Sequence, residues 1–188
     1  HITANIAYIG EKYEDPMSIK HIDYNGSNGY QCIKQGKCKR NPSKDDVELT
    51  MLSIDIECSM EGELYSIGLY AHNNEEYKCV LMIGDVQLHA ENYIEWQVDE
   101  RQLLTRFIET VQKFDPDILI GWNVINFDFS LLQQRCDLLG IKFCIGRDGS
   151  TPYWRKNANN KEQSFIEIAG RVVLDGIDLL KTATYSFA

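Results

Sequence analysis

The chain has 188 residues, 44% of them hydrophobic and 25% charged, with a formal net charge of -9. That length suits one medium domain plus an appendage. The acidic balance argues against a surface that binds nucleic acid broadly. It leaves room for a metal-dependent nuclease, whose carboxylates cluster at the site and whose bound ions reverse the local field. No apolar run is long enough to span a bilayer and no stretch reads as a signal peptide. The six cysteines, at 32, 38, 58, 79, 136 and 144, form no Cys-x-x-Cys pair, which fits a reduced, cytosolic compartment. The first residue is His and the last is Ala188, in an apolar and aromatic segment, so the chain reads as a fragment of something longer.

Residues 1–47 carry Asn25-Gly-Ser-Asn-Gly29, Pro16, Pro42 and short apolar patches such as Ile6-Ala-Tyr-Ile9. They predict loops with a few short strands, part of an N-terminal β-rich domain or linker. Lys34, Lys37, Lys39, Arg40 and Lys44 form a basic stretch without an acid among them. It reads as a solvated loop or as a contact to a DNA backbone. From residue 48 the pattern sharpens. Glu48–Ile56, Leu64–Tyr70 and Tyr77–Ile83 predict three consecutive antiparallel strands. Asp99 to Phe114 predicts a helix, with Asp99 as N-cap and Leu103, Leu104, Phe107, Ile108 and Val111 at helical spacing. Asp117–Trp122 is short and nearly all apolar, as a buried central strand is. Asn126 is placed to cap a second helix that runs to Leu139 and stops at Gly140. Residues 141–168 predict a hairpin, Arg171–Asp175 a strand and Gly176–Thr182 the start of a helix. The fold class is therefore α/β: a mixed sheet, three antiparallel strands followed by parallel ones, flanked by helices. The predicted division is 1–47 and 48–188.

Two segments carry chemistry. Asp55 and Glu57 lie two apart at the end of Leu52-Ser-Ile-Asp-Ile-Glu57. A strand's period of 2 puts both carboxylates on one face, ~6.6 Å apart, and Leu52, Ile54 and Ile56 on the other. Carboxylates at that spacing suit a pair of hard cations ~4 Å apart. The second segment is Asp115-Pro-Asp-Ile-Leu-Ile-Gly-Trp-Asn-Val-Ile-Asn-Phe-Asp128. Its apolar strand delivers Asp128, in the first turn of a helix where the dipole favours an acid, to the end of the sheet where Asp55 and Glu57 are expected. The plainer alternatives are solvated acids on an edge strand and an ordinary first-turn acid. Asp175 and Asp178 are further acids, read as strand-end and helix-cap residues.

With these motifs the chain resembles the family B DNA polymerases. Ser53-Ile-Asp-Ile-Glu57 is similar to the family's first exonuclease motif, Asp-x-Glu after an apolar strand. Asp115–Asp128 is similar to the second, Asn-x3-Phe-Asp with its preceding Asp-Pro-Asp-x3-Gly, and Gly170-Arg-Val-Val-Leu-Asp-Gly-Ile-Asp-Leu-Leu-Lys181 to the strand and helix that follow. Glu63-Leu-Tyr-Ser-Ile-Gly68 and Gly146, Arg147, Asp148, Trp154 and Arg155 bring it nearest the bacterial polymerase II branch. The likeness covers residues 48–188. It implies an RNase H-like 3′→5′ exonuclease fold of the DnaQ-like type and two-metal hydrolysis of phosphodiesters, with Asp55, Glu57 and Asp128 holding two Mg²⁺ or Mn²⁺ ions. It further implies that Asn123 positions the terminal nucleotide and that Glu57 contacts the terminal 3′-OH. Phe127 is either a stacking surface for an unpaired base or a core residue. The implied partners are a single-stranded DNA 3′ end or primer-template, a polymerase domain in the same protein and, by family analogy, a sliding clamp. No membrane is implied, and the location is the cytoplasm, with the nucleoid.

Two departures stand out. Cys58 occupies a position where the family has Thr, which puts a hydroxyl contact to the substrate in question. The third motif, Tyr-x3-Asp or His-x4-Asp, is missing: no Tyr or His has Asp at the required offset, and Tyr185 alone is undecided because its partner position would be 189. Three of four metal-site acids are thus expected, with weak metal binding and little activity. No polymerase signature is visible. The hairpin region, with Arg147, Tyr153, Trp154, Arg155 and Lys156, is a candidate for holding a separated strand or else a plain surface hairpin. A stand-alone exonuclease of the same class and a non-catalytic domain of the same fold are the competing readings; a dinucleotide binder fails for want of Gly-x-Gly-x-x-Gly.

Overall fold

The structure is a computed structural model. It describes the backbone of residues 6–12 and 33–40, and residues 48–72, 76–156 and 164–182 with their side chains. The chain divides into two compact units, residues 1–49 and 50–188. In the first, β1 (Ile6–Lys12) and β2 (Ile33–Arg40) pair antiparallel. β2 carries the start of the basic stretch. The side chains of that stretch lie outside the described residues, as do Asn157–Asn160 and Tyr185.

The second unit is built on a six-stranded mixed sheet. Its strands are β3 (Met51–Cys58), β4 (Leu64–His72), β5 (Glu76–Ile83), β6 (Ile94–Gln97), β7 (Ile118–Gly121) and β10 (Val172–Asp175), in the order β10-β7-β3-β4-β5-β6. The β3–β4–β5 meander is antiparallel, as the sequence predicts. β6, β7 and β10 pair parallel with β5, β3 and β7 respectively. β6 is absent from the sequence reading. Its four residues Ile-Glu-Trp-Gln are too few to show a period, and parallel pairing to β5 is what makes them a strand. β3 lies inside the sheet, so Asp55 and Glu57 are not on an edge strand.

Strand β3 alternates as its residues dictate. Leu52, Ile54 and Ile56 are buried, while Asp55 and Glu57 are exposed. Burying each of those three side chains contributes about 1.5–3 kcal/mol. Helix α1 (Glu100–Phe114) lays Leu103, Leu104, Phe107 and Val111 on the sheet. Its N-cap is Asp99, whose carboxylate accepts the Gln102 N–H at 2.8 Å. Its C-cap is Asp115 at φ 54°, a left-handed conformation that Asp tolerates, followed by Pro116, which cannot continue a helix. Helix α2 (Ser130–Leu138) buries Leu132 and Cys136, and Phe129 and Phe143 pack with Phe107 beside it. Strands β8 (Tyr153–Lys156) and β9 (Ser164–Glu167) pair antiparallel as a separate two-stranded ribbon, and α3 (Gly176–Thr182) follows β10.

Asp115-Pro-Asp117 does its work in this framework. The Asp115 carboxylate accepts from Arg147 Nε at 2.6 Å and from an Arg171 guanidinium N–H at 2.9 Å. Asp117 accepts from Arg147 at 3.1 Å and from the Thr50 N–H and hydroxyl at 3.0 and 3.1 Å. Burial pushes the Asp117 carboxyl up, but Thr50 and Arg147 outweigh it and hold it below the ordinary range. The cluster pins the starts of β3, β7 and β10 to the loop around residue 147. Arg147, whose side chain is only 8% exposed, is therefore a structural cation and not a DNA contact, a correction to the sequence reading.

Candidate active site at the end of β3

Strand β7 runs beside β3 only as far as the Ser53–Ile120 pair. Beyond it, the in-plane N–H of Ile56 has no strand to meet on that side. The Asp128 carboxylate takes the place of the missing strand: Oδ1 accepts the Ile56 N–H at 3.1 Å. Ile56 is the residue between Asp55 and Glu57, so the acid of the second segment is tied to the backbone between the two acids of the first.

Two features bring Asp128 there. Gly121 ends β7 against β3; a Cβ would sit 2.6 Å from the Ile54 carbonyl oxygen and 2.9 Å from Val124 Cβ, so no larger residue fits. The chain then turns through Asn123, at φ 57°, into a π-helical turn, Ile125–Phe129, that runs on into α2. A π-helical turn carries one residue more than an α-turn and is frequent at functional sites. It also changes the predicted role of Asn126. Its side chain caps no helix; its oxygen accepts the Ser164 N–H at 2.8 Å and so ties the β8–β9 ribbon to the turn. The helix start lacks a side-chain cap.

Asp128 is 1% exposed, in contrast to Asp55 and Glu57. Burial pushes its carboxyl up to about 6, and the negative charges of Asp55 and Asp175 push the same way, against the hydrogen bonds from its own backbone and Ile56. The site thus concentrates negative charge that the described residues leave uncompensated. Asn123 is half-buried, and its carbonyl accepts the Phe127 N–H at 2.9 Å. Phe127 is 45% exposed, and Trp122 64%, so Phe127 is no core residue. Cys58 is half-buried with a free thiol. Among the described residues no three His, Cys, Asp or Glu side chains are gathered closely enough to hold a metal ion. The structure therefore sets Asp128 beside Asp55 and leaves the set open. In donor type it fits a hard cation, since oxygen ligands and unneutralised charge are what Mg²⁺ or Mn²⁺ answers.

Sequence reasoning gave Asp175 no part here. It is 3% exposed, accepts the Ile125 N–H at 3.0 Å and the Ile177 N–H at 2.9 Å, and its charge reaches Asp128. The only hint in the sequence is an acid that closes an apolar strand. In the β8–β9 ribbon, Trp154 is committed to packing, its indole N–H donating to Gln133 at 3.3 Å. The Arg155 guanidinium lies 5.0 Å from the Phe165 ring centre, and Tyr153 and Lys156 are exposed.

A mixed sheet with three antiparallel strands followed by parallel ones, helices against it and carboxylates at the end of its central strand, defines an RNase H-like exonuclease fold. The chain matches the family described as DNA polymerase family B, exonuclease domain, over residues 11–186, and it belongs to that family. It is similar to DNA polymerase II of Escherichia coli K12, with 34% identity over 185 residues, 96% of this chain and 22% of that protein. It is similar also to a DNA polymerase of Thermococcus kodakarensis, with 38% identity over 138 residues, 71% of this chain and 8% of that protein. The chain thus spans about a fifth or less of these two relatives. The solved family B DNA polymerase of Pyrobaculum calidifontis superimposes with a TM-score of 0.57 at 20% identity, over 78% of this chain and 18% of that one, a likeness of fold. Among the described residues no helix is long and apolar enough to cross a membrane.

Proposed function

We propose that the chain is the proofreading part of a DNA-directed DNA polymerase, a 3′→5′ exonuclease that removes the terminal nucleotide from single-stranded DNA ends. The observation that carries this reading is the bond from the Ile56 N–H to Asp128 Oδ1, which joins the acids of two sequence-distant motifs at one strand end. Asp55, Glu57 and Asp128 would hold two divalent ions, Mg²⁺ or Mn²⁺. When bound, the ions supply an activated water and stabilise the departing 3′ oxygen.

The chain's own residues do the rest. Asp128 stays anchored through Ile56, so its carboxylate keeps one orientation. Asn123, held by its left-handed backbone at the turn, orients the terminal nucleotide, and the Glu57 carboxylate accepts from the 3′-OH. The exposed ring of Phe127 stacks on an unpaired base, a contact worth about 1–3 kcal/mol. Cys58 stands where a hydroxyl would add a further contact. A mispaired end unstacks at lower cost than a paired one, so a site restricted to single strands selects errors by competition for the frayed end. The exposed Tyr153, Arg155 and Lys156 of the ribbon suit such a strand. The 188 residues supply three of four metal-site acids, so the chain alone binds metal weakly and cleaves slowly or not at all. A polymerase domain in the same protein would supply the primer end, on chromosomal DNA in the cytoplasm.

The test is hydrolysis of labelled single-stranded DNA by the full-length protein in Mg²⁺. Shortening from the 3′ end supports the reading; shortening from the 5′ end, or none with any divalent metal, ends it.

A further inference from the structure

Asp175 is a buried carboxylate to which the proposed reaction gives no task. It is the last residue of β10, and its backbone lies beside Gly121 in the parallel β10–β7 register. Its side chain reaches past the end of β7 to the other side of the loop that follows. One oxygen accepts the Ile125 N–H, the first residue of the π-helical turn, at 3.0 Å; the other accepts the Ile177 N–H at 2.9 Å. Gly121 and Ile125 bracket a loop of Trp122, Asn123 and Val124. Asp175 therefore grips that loop at both ends, by its main chain before the loop and by its side chain after it. Asn123 in this loop has φ 57°, a left-handed conformation that asparagine tolerates better than most residues and that suits the tight turn between the two anchored ends. The residue after Asp175 closes the same joint. A Cβ on Gly176 would come within 2.9 Å of Trp122 Cε3, so the backbone there lies directly against the indole.

We infer that Asp175 is a positioning residue for the carboxylate turn, fixing the loop 122–124 and the turn Ile125–Phe129 in the conformation that sets Asn123 and Asp128 against the end of β3. What those two side chains then do rests on the exonuclease reading. Asp175 accepts one backbone N–H on each oxygen, one from the turn and one from the start of the helix that follows it, which is the arrangement of a group that holds backbone in place. Asparagine cannot replace it, because the amide offers one acceptor oxygen and turns an NH₂ group toward the second N–H.

The test uses the full-length protein with Asp175→Asn and Asp175→Ser, beside wild type. Hydrogen exchange reads the Ile125 amide, and hydrolysis of single-stranded DNA in Mg²⁺ reads kcat and KM. In Asp175→Asn the Ile125 amide should exchange about tenfold faster while amides of β4 keep their rates. The kcat should fall by about tenfold because the acid is displaced, and KM should rise with it because Asn123 and Phe127 lie on the same loop and turn. Wild-type protection of Ile125, an unchanged kcat, or a change in KM alone overturns the inference. If wild type itself leaves the DNA intact, the exonuclease reading fails, and exchange at Ile125 still decides whether Asp175 holds the turn. Should the asparagine variant lose its cooperative melt, Asp175→Ser, whose hydroxyl accepts one of the two N–H groups, gives the same two readouts.

Discussion

Replacing Asp128 with Asn should make the protein more stable at neutral pH and less able to act. The ordinary Asp value is 3.8, and the native state raises it to about 6. At about 1.4 kcal/mol per pH unit, the ionised form at pH 7.5 costs the native state about 3 kcal/mol relative to the neutral form. The sign follows from proton counting. Between pH 3.8 and about 6 the native state holds a proton that the unfolded chain has released. Stability from this group is therefore full below pH 3.8 and is lost as pH rises through about 6. Asparagine has the same shape, keeps an oxygen to accept the Ile56 N–H and never ionises. Urea denaturation of wild type and Asp128→Asn across pH 4 to 8 isolates this group, because Asp117, whose depressed value works in the opposite sense, titrates alike in both proteins. The gap should be near zero at pH 4 and reach about 3 kcal/mol in favour of the variant at pH 7.5. A gap that is flat with pH, or a variant less stable than wild type at pH 7.5, would refute the reasoning.

Other perturbations follow from the same geometry. Millimolar Mg²⁺ or Mn²⁺ at pH 7.5 should raise wild-type stability, by about 1.4 kcal/mol at ten times the dissociation constant; thermal melts check it, and an equal rise in Asp55→Ala/Glu57→Ala would place the ion elsewhere. That double variant of the full-length protein should lose 3′→5′ degradation and keep polymerization, and digestion at the wild-type rate would remove both acids from the reaction. Gly121→Ala should cost about 1–3 kcal/mol and slow hydrolysis, since its Cβ would strike the Ile54 carbonyl and Val124; chemical denaturation and an exonuclease assay read the two effects. Arg147→Met should destabilise by about 3 kcal/mol by leaving Asp115 and Asp117 short of a partner, with no change in DNA affinity beyond that loss. A specific drop in DNA affinity at unchanged stability would return Arg147 to the DNA surface.

Much of the fold was legible because its signals are local. The alternation Leu52–Ile54–Ile56 against Asp55–Glu57 gives both the strand and its acidic face, and Asp99 with the Leu103–Val111 spacing gives α1 and its start. The sites of failure are equally local in cause. Asn126 is a good N-cap by composition, yet its side chain bonds Ser164, thirty-eight residues on. Arg147 is a surface residue by type, yet two aspartates from the end of α1 and the start of β7 enclose it. Ile94–Gln97 has too few residues to show a period, and only β5 makes it a strand.

The sequence by itself determined the chemistry available: three acids and an amide in two short patterns, each set on an apolar strand or at a helix start, because period and propensity act over a few residues. Tertiary structure alone decided that β7 stops short of Ile56, that Asp128 fills the vacant N–H, and that Asp175 grips the loop between them. Those are contacts between residues fifty or more positions apart. They exist only once the sheet is assembled, since no local preference of the chain encodes which unpaired backbone group a distant carboxylate will meet.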